Sequence, residues 1–124
     1  MRIGINIDGV LRNLLEKLSR TYEKYFEKEV SLDDIEDYDL EKYFEFEGED
    51  NLDKLLYEDC SLEIFGYSNE IEDKVVLKLN NFVRENLDKN EVVLLTRECG
   101  RAIPSTLFFL SKTGCMVKEI KFVT

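Results

Sequence analysis

Histidine is absent from this chain of 124 residues. Without an imidazole group there is no histidine general base, and there is no metal site with a histidine ligand. Glycine and proline are scarce, with 6 and 1 residues. A chain so poor in both is unlike a disordered protein or an all-β protein. These shortages favour an ordered domain that contains helices.

Cysteine is present in a number and spacing that exclude two common uses. Cys60, Cys99 and Cys115 are three residues at wide spacings, with no C-x-x-C pair. Neither a disulfide framework nor a zinc knuckle fits this pattern. The pattern predicts free thiols in a reducing compartment, and hence a cytoplasmic protein. Cys99 is the thiol to test for reactivity, because it follows a candidate site.

Long apolar runs are also missing, and the charge is strongly one-sided. No run approaches the ~20 residues of a membrane span, and no signal-peptide pattern opens the chain. Lysine and arginine total 17 against 27 acidic residues, a formal charge of −10. Such a surface repels phosphate backbones and anionic lipids. We therefore expect a soluble protein that binds neither nucleic acid directly nor a membrane.

Three segments have the pattern of strands. Arg2–Ile7 alternates polar and apolar residues and stops at Asp8-Gly9, Glu91–Thr96 is a continuous apolar run, and Met116–Val123 alternates again. The apolar run is typical of a strand that is covered on both faces.

Helical periodicity separates these strands. The first predicted helix covers Val10–Lys28, and the second runs from an N-cap at Asn69 to Leu87. The third begins around Pro104 and ends at Gly114. Asp88–Asn90 is predicted to turn the chain. Residues 29–66 contain shorter helical segments and a solvated acidic loop. The length fits one domain over residues 1–124. Strands that alternate with long helical segments predict an α/β fold with a parallel three-stranded, Rossmann-like core.

Function in such a sheet is expected where the strands end. Asp8 and Gly9 follow the first strand, and Thr96 and Arg97 end the second.

Two motifs here resemble those of the haloacid-dehalogenase-like (HAD) phosphohydrolases. Ile3–Leu11, with Asn6-Ile7-Asp8-Gly9, resembles the first motif, Asp-x-Asp-Gly after an apolar strand. Val92–Thr96 resembles the second, an apolar strand that ends in Thr or Ser. Asp37–Phe44, and Thr106–Leu110 ahead of Gly114, are similar to the 5'-nucleotidase-like branch of that family. The resemblance implies a HAD-like core with a helical cap inserted after the first strand, within residues 12–66.

The resemblance also implies roles for single residues. The family's nucleophilic Asp, which forms an aspartyl-phosphate, corresponds to Asn6, and the general acid corresponds to Asp8. Gly9 corresponds to the turn glycine and Thr96 to the phosphate-binding hydroxyl, beside which Arg97 could bind an anion. Mg²⁺ would be held at Asn6 and Asp8.

Two departures predict impaired catalysis. Asn6 is a neutral amide, hence a poor nucleophile and a weak Mg²⁺ ligand. The family's later Lys and acidic pair have no counterpart before Thr124, and Lys118 and Lys121 lie inside the third strand. We expect a protein that binds a phosphorylated ligand or a protein partner, with weak Mg²⁺ binding.

Two other functions stay open. One is a Mg²⁺-dependent phosphatase or 5'-nucleotidase, if Asn6 replaces an Asp. The other is an acidic interaction protein that masks a basic partner. Structural roles stay open as well: Asn6 and Asp8 as caps of a turn, Thr96 as a turn residue, and Arg97 as a solvated cation. Arg12 is predicted to reach a phosphate or to pair with cap acids. The aromatic residues of the cap could form its core or a base-stacking platform: Tyr38, Tyr43, Phe44 and Phe46.

The resemblance has one further consequence. In the family, further strands flank the first strand on its other side. Without them that edge has unpaired N–H and C=O groups, which proteins pair or cover. We expect a homo-oligomer or a protein partner at this incomplete edge.

Overall fold

The sheet is parallel and has three strands. A computed structural model describes residues 1–86, 91–97 and 100–123. The strands are β1 (Arg2–Asn6), β2 (Glu91–Thr96) and β3 (Glu119–Phe122). Their order is β1-β2-β3 with both pairings parallel, so β2 is central and β1 lies at an edge. The predicted mixed α/β fold with a parallel three-stranded sheet is confirmed. The third strand is shorter than predicted, because it begins at Glu119 rather than at Met116.

The register assigns each strand residue to one of two faces. Ile5 is paired with Leu94, and Leu94 with Ile120, so these apolar side chains share one face. Asn6 is paired with Leu95, and Leu95 with Lys121. We call the face that carries this second row the open face.

The described ranges contain four α-helices: α1 (Leu14–Phe26), α2 (Leu52–Lys54), α3 (Val75–Glu85) and α4 (Ala102–Lys112). Both crossovers advance in the same direction across the sheet, so right-handed connections place their helices on one face. Leu79 of α3 and Phe109 of α4 accordingly pack in one cluster with Ile7 and Leu94.

The open face carries no helix in the described part of the chain. Val93 and Leu95 belong to neither hydrophobic cluster, although Val93 is buried. The prediction that β2 is covered on both faces stays a prediction for this face, where Val93 is buried without belonging to either cluster. The strand has a continuous apolar run because it is central in the sheet, with a strand on each side.

The segment between α1 and α3 builds a second hydrophobic cluster. It contains 3₁₀ turns at Leu32–Asp34 and Leu40–Lys42 and π-helical turns at Leu55–Asp59 and Leu62–Gly66. Its apolar side chains pack on α1, and the cluster includes three of the four aromatic residues considered above, Tyr43, Phe44 and Phe46. Tyr38 is the exception, because it is 79% exposed.

Two helices begin later than their periodicity predicts. The first begins at Leu14 rather than Val10, because the N–H groups of Leu11 and Arg12 donate to the carbonyl of Ile7, both at 2.9 Å. The other begins at Val75 rather than near Asn69, because Lys74 adopts a left-handed backbone with φ 62°.

The last helix begins close to its predicted start. Pro104 lies in its first turn, as predicted, and Gly114, with φ 74°, follows its end. Leu87, the turn at Asp88–Asn90 and Cys99 lie outside the described residues. Across the described ranges, no helix combines the length and the apolar character that a membrane crossing needs.

Candidate functional site

The carboxyl ends of β1 and β2 lie side by side. The N–H of Ile7 donates to the carbonyl of Leu95 at 3.0 Å, so the pairing continues past the last residue of β1. The five predicted site residues lie at these two strand ends or directly after them. We call them the strand-end site: Asn6, Asp8, Gly9, Thr96 and Arg97.

Asn6 and Thr96 leave the sheet on opposite faces. Asn6 is exposed and shares the open face with Leu95. Thr96 is the next residue along β2, so it points to the apolar face, where it is 5% exposed. Its carbonyl accepts a hydrogen bond from the N–H of Val123 at 2.8 Å. The structure thus brings the two strand ends together, but it does not place these two side chains on one face.

Lys121 lies on the same face as Asn6. It is an exposed residue of β3 in the row Asn6, Leu95, Lys121. Two strand spacings, about 10 Å, separate the backbones of Asn6 and Lys121. The sequence placed Lys121 correctly inside the third strand but did not indicate this shared face, because the face depends on the register between strands.

The loop after β1 is a tight turn around Gly9. Gly9 has φ 80°, and its N–H donates to the carbonyl of Arg12 at 3.1 Å. The N–H groups of Asp8 and Val10, on either side of Gly9, have no hydrogen-bond acceptor among the described residues. Backbone N–H groups of a turn that contains a left-handed residue are suited to an anion.

Asp8 is held by an ion pair with Arg12. The Nε of Arg12 donates to Oδ1 of Asp8 at 2.7 Å, and the Asp8 side chain is 27% exposed. Arg12 therefore binds one oxygen of the Asp8 carboxylate, and part of the carboxylate stays exposed to solvent at the strand-end site.

Arg12 itself is completely buried. One of its terminal nitrogens donates to the carbonyl of Phe65 at 3.0 Å and to the hydroxyl of Thr106 at 2.7 Å. Its guanidinium carbon lies 5.1 Å from the ring centroid of Phe65 and 5.5 Å from that of Phe109. Hydrogen bonds and aromatic rings of this kind stabilise a buried cation. Arg12 therefore joins the β1 loop, α4 and the Leu62–Gly66 turn.

The sequence did not predict this arrangement. It offered a phosphate or the acids of the cap as partners of Arg12, whereas Asp8, Phe65 and Thr106 are among the partners that Arg12 has in the structure. The one available signal was the position of Arg12, four residues after Asp8 and inside an apolar stretch. Phe65 and Thr106 are distant in sequence, so no local pattern indicates their contact with Arg12.

Arg97 gives the site an exposed cation. It directly follows β2 and has no hydrogen-bond or ion-pair partner within the described ranges. An exposed guanidinium at a strand end can bind an oxyanion in a bidentate manner.

Tyr38 lies next to the Gly9 turn. A Cβ atom at Gly9 would come within 3.3 Å of the Tyr38 hydroxyl. The segment between α1 and α3 thus presents an exposed aromatic side chain at the β1 loop.

The donors at the tip of β1 fit a magnesium ion poorly. They are one carboxylate, already bound to Arg12, and one neutral amide, whereas Mg²⁺ favours carboxylate oxygens in an octahedral shell. Among the residues that the structure describes, no group of three His, Cys, Asp or Glu side chains is placed to hold a metal.

Two of the cysteines are free thiols, as predicted. Cys60 is buried and Cys115 is half-buried. Burial raises the pKa of both thiols, and the nearby carboxylates of Glu63 and Asp59 raise that of Cys60 further. Both thiols are therefore protonated near neutral pH and are poor nucleophiles.

Comparisons of this chain with protein-family models, with curated proteins and with solved structures find no match.

Proposed function

We propose that this chain is a HAD-like protein with a helical cap, which binds a phosphorylated ligand at the strand-end site without hydrolysing it. The observation that carries the proposal is the pair of N–H groups of Asp8 and Val10, which flank the left-handed Gly9 and have no acceptor among the residues that the structure describes. Arg97 adds a full positive charge at the end of the neighbouring strand.

The same site lacks a competent nucleophile. Asn6 occupies the position where the family has the attacking carboxylate, and an amide oxygen carries no charge for that attack. Asp8 has one oxygen bound to Arg12, so it can orient a ligand hydroxyl through the other oxygen. The loss of a covalent nucleophile costs several orders of magnitude in rate. Any Mg²⁺ bound here is expected to be weakly held.

A titration with inorganic phosphate, followed by ¹H–¹⁵N spectra at constant ionic strength, tests the binding. We expect the amide signals of Asp8, Gly9 and Val10 to shift with millimolar affinity, because few charges act against a formal charge of −10. Arg97→Ala should abolish these shifts. Arg20→Ala is the matched control, because Arg20 is an exposed arginine of α1 whose partner is Glu16 at 3.2 Å. Phosphate that leaves the loop signals unmoved, or moves them equally in Arg97→Ala, would refute the site.

The proposal also includes a surface for a protein partner, the free edge of β1. β1 lies at the edge of the sheet, as the resemblance implied, and we propose that a protein partner adds to this edge. The proposed compartment is the cytoplasm.

A second function is favoured by the acidic segment between α1 and α3. Every acidic residue of 33–53 is exposed, and Lys42 is the one basic residue in that range. Such a surface fits a basic protein. This alternative predicts association with polylysine that weakens steeply with salt and is unchanged by Arg97→Ala. Loss of that association in the triple variant Glu47→Gln, Glu49→Gln, Asp50→Asn would locate it at residues 47–50, and its persistence there would exclude these three acids as the main contact.

A further inference from the structure

The two edges of the sheet are chemically different. β3 has four residues, and Glu119 and Lys121 alternate with apolar residues along it. Charges on a short edge strand discourage another strand from pairing with it. β1 has the sequence R-I-G-I-N, with one charged residue at its start and no proline. The β1 edge therefore lacks the features that usually protect an edge strand.

The unpaired backbone groups of β1 follow from its register. Ile7 donates to Leu95, and the carbonyl of Met1 accepts from Glu91 at 2.8 Å, so odd-numbered residues direct their polar groups toward β2. The N–H and C=O groups of Arg2, Gly4 and Asn6 consequently point away from the sheet. Ile3 and Ile5 are only half-buried at this edge.

We infer that the occupant of this edge is β1 of a second copy, which pairs antiparallel about a two-fold axis at Gly4. This inference rests on the edge partner proposed above and does not depend on the phosphate site. The register that overlaps all five residues places Gly4 opposite Gly4 and Arg2 opposite Asn6 of the second copy. These are the residues whose polar groups point outward, so the ladder is complete. Ile3 then lies opposite Ile5 of the second copy, which continues the apolar face across the axis.

Charge favours a second copy over a basic partner at this place. The strand carries no acidic residue, so a basic segment at this edge would find no acidic side chain on the strand to pair with. In the proposed register the positive Arg2 meets a neutral amide, and no like charges lie opposite each other. The guanidinium of Arg2 stays bound to Glu91 at 3.3 Å and to Glu119 at 2.6 Å on its own sheet.

The salt dependence of dimerisation tests the inference directly. Two copies of charge −10 repel each other at long range, and salt screens that repulsion. Sedimentation equilibrium should therefore show a monomer–dimer equilibrium that shifts toward the dimer between about 50 and about 500 mM NaCl. A strict monomer at high protein concentration in both salts would overturn the inference.

Asn6→Lys tests the register. It places a lysine opposite Arg2 of the second copy on both sides of the axis, so we expect the dimer dissociation constant to rise about tenfold. Asn81→Lys is the matched control, because Asn81 is an exposed residue of α3 and the change in net charge is the same. Far-UV circular dichroism and thermal unfolding establish that both variants fold. A dimer weakened equally by both variants would show a general charge effect and contradict this interface.

Hydrogen exchange of the unmodified chain supplies a test without variants. The amides of Gly4 and Asn6 should gain protection as protein concentration rises, whereas those of Ile5 and Ile7 are protected at every concentration. A dimer in which Gly4 and Asn6 exchange at an unchanged rate would place the interface elsewhere. Arg97→Ala should leave the dimer unchanged, so failure of the interface and failure of the phosphate site are distinguishable.

Discussion

A buried guanidinium needs acceptors around it, and Arg12 finds one four residues away and two in distant parts of the chain. Asp8 supplies a carboxylate, Phe65 a carbonyl and Thr106 a hydroxyl. Removal of one partner of a buried ion pair strongly lowers the free energy of unfolding, because the other partner is left as a buried charge without an opposite charge beside it. Arg12 thus links the position of Asp8 to the packing of α4.

Arg12→Met should lower the free energy of unfolding by about 3 kcal/mol, the low end for a buried pair, because Asp8 is partly solvated. Urea unfolding measures this difference. Arg12→Lys should recover only part of it, since lysine lacks the planar fork that contacts Thr106 and Phe65. The control is Arg20→Ala, where an exposed pair is lost and the change should be close to zero. Equal effects at the two positions would show that Arg12 has no special structural role.

At the scale of elements, local patterns predict the strands well and the helix starts less well. Alternation in Arg2–Asn6 and the apolar run in Glu91–Thr96 are properties of the strands themselves, and both strands were predicted within a residue. The helix starts depend on contacts outside the periodic stripe. For α1 it is the pair of bonds to the carbonyl of Ile7, and for α3 it is the left-handed backbone of Lys74.

The turn that presents Tyr38 is held by an exposed ion pair. Lys42 donates to Asp37 at 2.7 Å, and the N–H of Asp39 donates to the same carboxylate at 3.0 Å. The bond from Lys42, followed by that from Asp39, lowers the pKa of Asp37, while the bond from Asp37 raises the pKa of Lys42. The lowered pKa of Asp37 contributes to the free energy of unfolding at pH values above the ordinary carboxyl pKa, and this contribution is lost as the pH falls through the lowered pKa. The raised pKa of Lys42 contributes at pH values below the ordinary amine pKa, and this contribution is lost as the pH rises through the raised pKa.

Lys42→Met should therefore move the pKa of Asp37 up toward its ordinary value, which an NMR titration of the side-chain carboxyl would measure. The free energy of unfolding should change little, because exposed pairs are weakly stabilising. Lys54→Met serves as the control, since Lys54 contacts Asp50 at 3.5 Å on another turn. If the Asp37 titration is the same in both variants, the Lys42 contact does not persist in solution.

At the scale of the whole molecule, the strand order explains why one face of the sheet is packed at the site and the other is open. Both crossovers lie on one face, so the apolar row with Ile5 and Leu94 is packed while the row with Asn6 is open. A sequence can predict that strand ends meet at one edge of a parallel sheet. It could not predict that Asn6 and Thr96 point to opposite faces, because a shift of one residue in register reverses the faces.

The candidate site was thus predictable as a set of strand ends and not as an arrangement of side chains. Asp8, Gly9 and Thr96 were identified from their positions after apolar strands. The burial of Arg12, the approach of Tyr38 to Gly9 and the shared face of Asn6 and Lys121 all depend on contacts between residues far apart in sequence.

We propose above all that the strand-end site binds a phosphoryl group but lacks the oxygen nucleophile that would attack it. A phosphatase assay of the unmodified chain beside Asn6→Asp, each with and without Mg²⁺, tests this most directly. We predict no turnover above background for the unmodified chain in either condition, and at most slow, Mg²⁺-dependent turnover for Asn6→Asp. Hydrolysis by the unmodified chain at ordinary enzyme rates, lost in Asp8→Ala, would contradict the claim.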